Sequence, residues 1–226
     1  MASANLRSIR ANSIKTQTLV PEQHSSTLGF QRACDYFEQV MLKHPKLSYF
    51  HSQAELYNAA LLESSPEVLN YVPQPFLFLI NGRRYIPDMY IVRGRMRIVQ
   101  ELKPGGVFNE EKRIAMESYL RLHGMQFEVI SNESVLNREQ EVENWLEIIR
   151  VLCTAKDHDT QQLELLILDQ LHGNICTQFG EIIDPGDREE SFLHELAVFR
   201  LLHRGTIQAN LVGSPLDYDT EITLCT

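Results

Sequence analysis

Pro87-Asp88 opens one apolar run of the chain, and thirteen residues after Asp88 the triplet Glu101-Leu102-Lys103 closes the next. Side chains alternate along a strand, so Glu101 and Lys103 share one face while Leu102 takes the other. The neighbouring Gln100 falls on the face away from Lys103, which leaves Glu101 as the acidic partner. A hairpin between the two runs brings Asp88 beside Glu101. Two carboxylates held together repel unless a positive charge lies between them, and a divalent cation with oxygen ligands meets that need. Lys103 then stands next to the cation. There it can orient or deprotonate a water, or neutralise charge developing on a phosphate.

The surrounding elements must present these groups together. Residues 52–63 read as a helix with Ser52 as N-cap and Glu55 three positions on, a capping-box pattern, so Glu55 becomes a third carboxylate at a helix start. Pro66 stops that helix. Residues 76–80 read as a strand and Asn81-Gly82 as a two-residue hairpin turn. The chain returns over 84–86, is interrupted by Pro87, and continues over 88–92. Arg93-Gly94 marks a further turn before the strand 97–103, closed by Pro104-Gly105-Gly106. A helix over 109–122 and a strand over 125–130 follow, an α/β arrangement with one parallel crossover. A long helix over 138–152 carries Val142, Trp145, Ile148, Ile149 and Leu152 on one stripe. Trp145 reads as core, and Glu139, Glu141, Glu143 and Glu147 as a solvated face.

The spacing is the PD–(D/E)xK pattern of metal-dependent nucleases, set in a hairpin followed by a helix and a strand. Further motifs flank it. Ser52-Gln-Ala-Glu55, Leu61-Leu-Glu63, Pro66-Glu-Val68, Tyr71, Gln74-Pro75, Tyr85-Ile-Pro87-Asp88 and Glu101-Leu-Lys103-Pro104 follow one another in order. Together they resemble the TnsA family, the endonuclease subunits of heteromeric cut-and-paste transposases. The similarity covers about residues 50–105 and continues in element order to the C-terminus.

The resemblance implies an α/β restriction-endonuclease-like domain followed by an α+β winged-helix-like domain. It implies that Glu55, Asp88 and Glu101 bind the metal, Mg²⁺ or Mn²⁺ in its place, and that Lys103 is the catalytic lysine. Gln74 matches the family's Gln-Pro and reads as structural. The activity implied is hydrolytic nicking of the 5′ ends of a mobile element. The implied partners are double-stranded DNA at the transposon ends, a TnsB-like DDE transposase that cuts and joins the 3′ ends, and a TnsC-like AAA+ ATPase. Two rival readings are a stand-alone nuclease for restriction, repair or junction resolution, and a non-catalytic assembly adaptor with a degenerate nuclease fold.

Of 226 residues, 43% are hydrophobic and 23% charged, enough apolar material for a core and too much for a largely disordered chain. No apolar run reaches the ~20 residues of a membrane span, and the N-terminus lacks a signal peptide's apolar centre, so a cytoplasmic setting, the bacterial cytosol, is expected. The four cysteines have no CxxC or zinc spacing and read as reduced thiols. His172, His194 and His203 with Cys176 also lack paired ligand spacing, so zinc is not expected.

The net charge of −9 speaks against coating nucleic acid by bulk charge. It is unevenly spread: residues 1–125 carry a net +4 and residues 126–226 a net −13. The candidate site lies in the basic half. Arg83, Arg84, Arg93, Arg95 and Arg97 on the hairpins, with Lys112 and Arg113 at the start of the next helix, are candidate contacts to the DNA backbone. His51 reads as an ordinary exposed histidine.

Residues 1–27 read as a basic flexible arm with Arg7, Arg10 and Lys15, and residues 28–42 as a helix. The endonuclease-like domain then spans 28–153, a polar linker covers 154–160, and a partner-docking domain spans 158–226. In the last, helices over 163–171, 175–182 and 189–203 precede a hairpin of 206–211 and 219–224, a winged-helix order of elements. Its third helix begins Glu189-Glu190 and carries only Arg200 and Arg204 at its end, which argues against reading a DNA groove and for docking protein, here the AAA+ regulator.

Overall fold

The computed structural model describes residues 10–173, 176–183 and 188–225, so Arg7 of the arm, Ile175 and the side chains of Glu189 and Glu190 lie outside the described residues. The chain divides into two compact units. The first takes the described residues to 39, with 48–56 and 67–136; the second takes 40–47, 57–66 and everything from 137 onward. This departs from the boundary read near 153–158. Residues 137–153 belong with the C-terminal half, together with two short upstream stretches that no local sequence signal ties to it.

The first unit opens with β1 (Ile14–Thr16) and α1 (Leu28–Gln31), followed by β2 (Phe37–Val40) and β3 (Leu47–Phe50), which pair with each other. The helix expected over 28–42 is therefore one turn followed by a strand. The stretch 37–40 alternates half-buried and exposed with period two, which overrides the weak helical spacing around it. The arm is also not free along its whole length. Ile14 pairs with Ile80 and is 4% exposed, a placement set by a strand edge more than sixty residues away.

Next comes α2 (Gln53–Ser64), which begins in the first unit and continues in the second. Its start follows the expected cap: Ser52 Oγ accepts from the Glu55 N–H at 3.2 Å. Then come β4 (Val68–Pro73), unforeseen from the sequence, β5 (Phe78–Ile80), β6 (Arg83–Tyr85), β7 (Met89–Arg93) and β8 (Met96–Lys103). Asn81 and Gly82 both take positive φ, 50° and 79°, as a tight hairpin turn demands. Pro87 does more than interrupt a strand. It separates β6, in the sheet β1-β5-β6, from β7, in the sheet β4-β7-β8-β9.

After β8, α3 (Glu110–Leu122) crosses over to β9 (Gln126–Ser131), which lies parallel to β8 while β4, β7 and β8 run antiparallel; α4 (Asn132–Leu136) follows. Ala115, Met116 and Leu120 of α3 pack with Phe78, Tyr90, Val99 and Phe127 in one apolar cluster. Val99, Glu101 and Lys103 share a strand face. The apolar layer under α3 thus ends in charged groups at the last residues of β8.

In the second unit, the rest of α2 joins α5 (Glu139–Thr154), α6 (Gln161–Gly173), β10 (Thr177–Gln178), α7 (Phe179–Ile182), α8 (Arg188–His203), β11 (Ile207–Ala209) and β12 (Glu221–Leu224). The expected order of three helices and a hairpin is present, with β10 added to give an antiparallel sheet β10-β12-β11. Trp145 is buried, but the acidic face of α5 is not wholly solvated. Glu141 is 7% exposed and receives the Arg138 guanidinium at 2.6 and 2.7 Å.

The stretch 154–160 is packed. Ala155 and Thr160 are buried, and Arg200 donates to Thr160 Oγ1 at 2.6 Å and to the carbonyls of Ala155 and Lys156 at 3.3 Å. Leu196 to Phe199, Leu201 and Leu202 of α8 are at most 4% exposed, so this part of the helix is core. Gly205 has φ +69°, and a Cβ there would stand 2.1 Å from Pro66 Cγ, so only glycine fits. Among the described residues no helix is long and apolar enough to cross a membrane.

Candidate active site

β7 and β8 pair with Met89 opposite Gln100, and the register carried one step further sets Asp88 across from Glu101. Asp88 Oδ2 accepts the Leu102 N–H at 2.7 Å, which locks the aspartate to the neighbouring strand. Glu101 Oε1 meets Lys103 Nζ at 2.6 Å, so the two share a face as alternation requires. Gln100 is turned to the other face, with Nε2 3.4 Å from Glu128 Oε2.

Glu55 reaches the same place from the first turn of α2. It is held by the His51 N–H at 3.1 Å, by Ser52 Oγ at 3.3 Å and by Gln74 Nε2 at 2.7 Å. Four residues from three separated stretches of sequence are therefore brought together.

All three carboxyl groups are buried or nearly so: Glu55 is 7% and Glu101 3% exposed, and burial weighs most on Asp88 as well. Burial pushes the Glu55 carboxyl up to about 7. The charge of Glu101 adds to this, against the lowering hydrogen bonds from His51 and Ser52 and the charge of Lys103. Burial also lifts Asp88 well above the usual carboxylate range, with Glu101 and Glu55 lifting it further. For Lys103, burial works to lower the value, but the nearby Asp88 and Glu101 outweigh it and the ammonium is held above its ordinary range.

Two groups join the site that the motif by itself does not assign. Tyr85 OH donates to Glu101 Oε2 at 2.6 Å. Lys112 Nζ lies 3.2 Å from the centre of the Tyr85 ring and 4.8 Å from that of Phe108, a cation–π contact. Asn109 caps α3 by accepting the Lys112 N–H at 2.9 Å, which fixes the turn that carries the lysine. Burial lowers the Lys112 value, partly offset by Glu101.

Gln74 is more than structural filling. It is 4% exposed at φ +43°, a strained setting for a side-chain-bearing residue, and its backbone N–H donates to the Asp88 carbonyl at 2.9 Å while its side chain holds Glu55. Its signal in the sequence is a lone polar residue before a proline between two apolar runs. That marks a turn and says nothing of what the side chain holds. His51 is not an ordinary exposed histidine either: it is half-buried, stacked 6.0 Å from Tyr36, and burial lowers its imidazole.

The candidate DNA contacts divide. Arg84 lines a cleft together with Glu55 and Asp88, and Arg83 is exposed on the same short strand. Arg93, Arg95 and Arg97 sit at the opposite end of the β7–β8 hairpin, with Arg93 and Arg97 roughly 13–17 Å along the strands from Asp88 and Glu101. Arg97 donates to the His123 carbonyl at 3.0 Å. Arg113 is turned to Glu110 at 2.7 Å and Glu117 at 3.3 Å along the surface of α3.

The donor chemistry suits a hard divalent cation: Glu101 raises both Glu55 and Asp88, and Glu55 raises Asp88, so a cation among these oxygens would relieve their mutual repulsion. Among the described residues no three acidic, histidine or cysteine side chains already stand as a ligand set, and Glu101 is engaged by Lys103 and Tyr85. Each Glu101 oxygen keeps a further lone pair with which it could ligate a cation. No protein-family model matches the chain, and no curated protein matches it either.

Proposed function

We propose that the chain is a metal-dependent DNA endonuclease that nicks the 5′ ends of a mobile element, acting with a DDE transposase and an AAA+ regulator. The observation that carries this reading is the convergence of Glu55, Asp88, Glu101 and Lys103 at one end of β7 and β8. The ordered motifs that resemble the TnsA family support the same reading. The proposed folds are restriction-endonuclease-like for the first unit and winged-helix-like for the second, the latter docking the regulator.

Asp88, Glu101 and Glu55 would hold Mg²⁺ or Mn²⁺, which when bound supplies Lewis acidity toward a phosphodiester oxygen and a more acidic water. The chain's own groups do the rest. Lys103 carries an ammonium that can orient the attacking water or face the charge developing on the phosphate. Tyr85 holds Glu101 in place through its hydroxyl. Lys112, anchored on the Tyr85 ring, keeps a second cation near the site for the polyanionic substrate.

The test is a plasmid-nicking assay with Mg²⁺, run with the chain alone and then with its transposase partner. Strand-specific cleavage with the partner is expected, and little alone, because an acidic chain releases few counterions on binding DNA. Robust cleavage by the chain alone would favour a stand-alone nuclease. No cleavage under either condition would reject the enzyme.

A further inference from the structure

The carboxylate site opens into a cleft of about 480 Å³, inside the range of pockets that take small ligands. Glu55, Gln74 and Asp88 line it together with residues 24–27, His51 and the stretch Arg84–Ile86. The segment leading into residues 24–27 is fastened down. The Glu22 N–H donates to the Pro75 carbonyl at 3.0 Å and the His24 N–H to the Gln74 carbonyl at 3.1 Å. Gln23 Nε2 donates to Gln74 Oε1 at 3.1 Å and to the Tyr49 carbonyl at 3.0 Å.

After His24 come three hydroxyl residues in succession, Ser25, Ser26 and Thr27. Ser26 Oγ is buried with no hydrogen-bond partner, which is costly unless something arrives to meet it. The acids lining the cleft are Glu55 and Asp88, and the fixed cation is Arg84.

We propose that this cleft is an anion subsite seating the phosphate next to the one under attack, with the Arg84 guanidinium and the Ser26 hydroxyl as its donors. The inference rests on the nuclease reading. Ionised carboxylates repel a phosphodiester backbone, so the strand needs compensating donors, and Arg84 lines the same cleft as Glu55 and Asp88. A planar guanidinium beside hydroxyl groups matches a phosphate's geometry. A held phosphate carries no sequence information but fixes the register of the strand over the reacting atoms. It also gives the end of the basic arm, residues 24–27, a role as one wall of the site.

The probe is thymidine 3′,5′-bisphosphate, titrated by calorimetry into the full chain without metal. The wild type should bind it. Arg84→Ala should weaken binding about 10-fold or more and Ser26→Ala about 3-fold, while Glu55→Gln leaves it unchanged or tighter. Arg84 is exposed, so its variant should fold, which thermal unfolding verifies. Equal affinity in Arg84→Ala, or no binding by the wild type, overturns the subsite. Plasmid nicking with the transposase partner reads the nuclease assignment separately. Nicking that survives while Arg84→Ala binds the bisphosphate as the wild type does sinks the subsite alone. Absence of wild-type nicking sinks the nuclease reading, and the subsite with it.

Discussion

Gln74 and Glu55 form a buried pair, the amide donating to one carboxylate oxygen at 2.7 Å while the same glutamine's backbone N–H binds the Asp88 carbonyl. One residue thus ties an acid on a helix to an acid just ahead of a strand. Gln74→Ala is expected to lower cleavage about 10- to 100-fold and to raise the Mg²⁺ concentration needed for half-maximal nicking, as loss of ligand-orienting partners does. Gln74→Glu should be worse, since it adds a like charge to Glu55. A metal titration of nicking activity separates this from a structural defect, because a destabilised but otherwise normal site would keep its metal midpoint.

Asp88→Ala is expected to remove 5′-strand cleavage by about 10²-fold or more, with partner binding retained. Lys103→Ala should cost similar activity but keep metal binding, which calorimetry with Mn²⁺ measures. Wild-type cleavage by Asp88→Ala in a reconstituted excision reaction contradicts the nuclease assignment.

The raised carboxyl values make a stability prediction. Glu55 titrates at about 7 when folded, against an ordinary 4.5, so the folded state holds its proton more tightly than the unfolded chain. Stability from this group is full below about pH 4.5, falls as pH rises toward 7, and is level above, a loss on the order of 3 kcal/mol. Asp88 acts in the same direction. Metal-free protein should therefore melt lower at about pH 8 than at about pH 5. Glu55→Gln should flatten that slope, and millimolar Mg²⁺ should restore the lost stability at the higher pH only. Thermal unfolding at both pH values, with and without metal, checks all three.

Within the second unit, Lys43 closes the C-terminus of α2. Its Nζ donates to the carbonyls of Leu62, Glu63 and Ser65 at 3.0, 2.7 and 2.7 Å, and its backbone N–H donates to Glu63 Oε1 at 2.8 Å. Glu63 is fully buried and also meets His203 at 2.9 Å. Lys43→Met should destabilise the protein by about 2–3 kcal/mol in chemical denaturation, from three carbonyls left short of a charged donor.

The stretch 154–160 should resist limited proteolysis under native conditions, because Arg200 pins it at Thr160, Ala155 and Lys156. A fragment of residues 158–226 should not fold alone. It lacks Glu63, and it lacks Asn144, whose side chain donates to the Leu211 and Ser214 carbonyls at 2.9 and 2.8 Å. Circular dichroism of the fragment tests this, and partner docking is best assayed on the whole chain.

Local chemistry determined a good part of this molecule. Strand alternation alone selected Glu101 over Gln100 as the partner of Lys103, because side-chain direction has period two whatever the fold. Ser52 and Asn109 announced helix starts through hydrogen bonds that span three residues. Asn81-Gly82 announced a turn through the sterics of positive φ. Features set by distant pairing were decided by the tertiary structure. β1 is a strand because the edge of β5 is there to bind it. Helical spacing over 28–42 lost to the β2–β3 pair. The five hairpin arginines look like one cluster along the chain, but Arg83 and Arg84 lie in one sheet and Arg93 and Arg97 at the far end of another. Gln74, Tyr85 and Lys112 join the carboxylates only once α3 and two separate sheets are packed, since their partners lie 16 to 27 residues away in sequence. Hydrogen bonds between side chains that far apart leave no periodic trace, and folding alone brings them within reach.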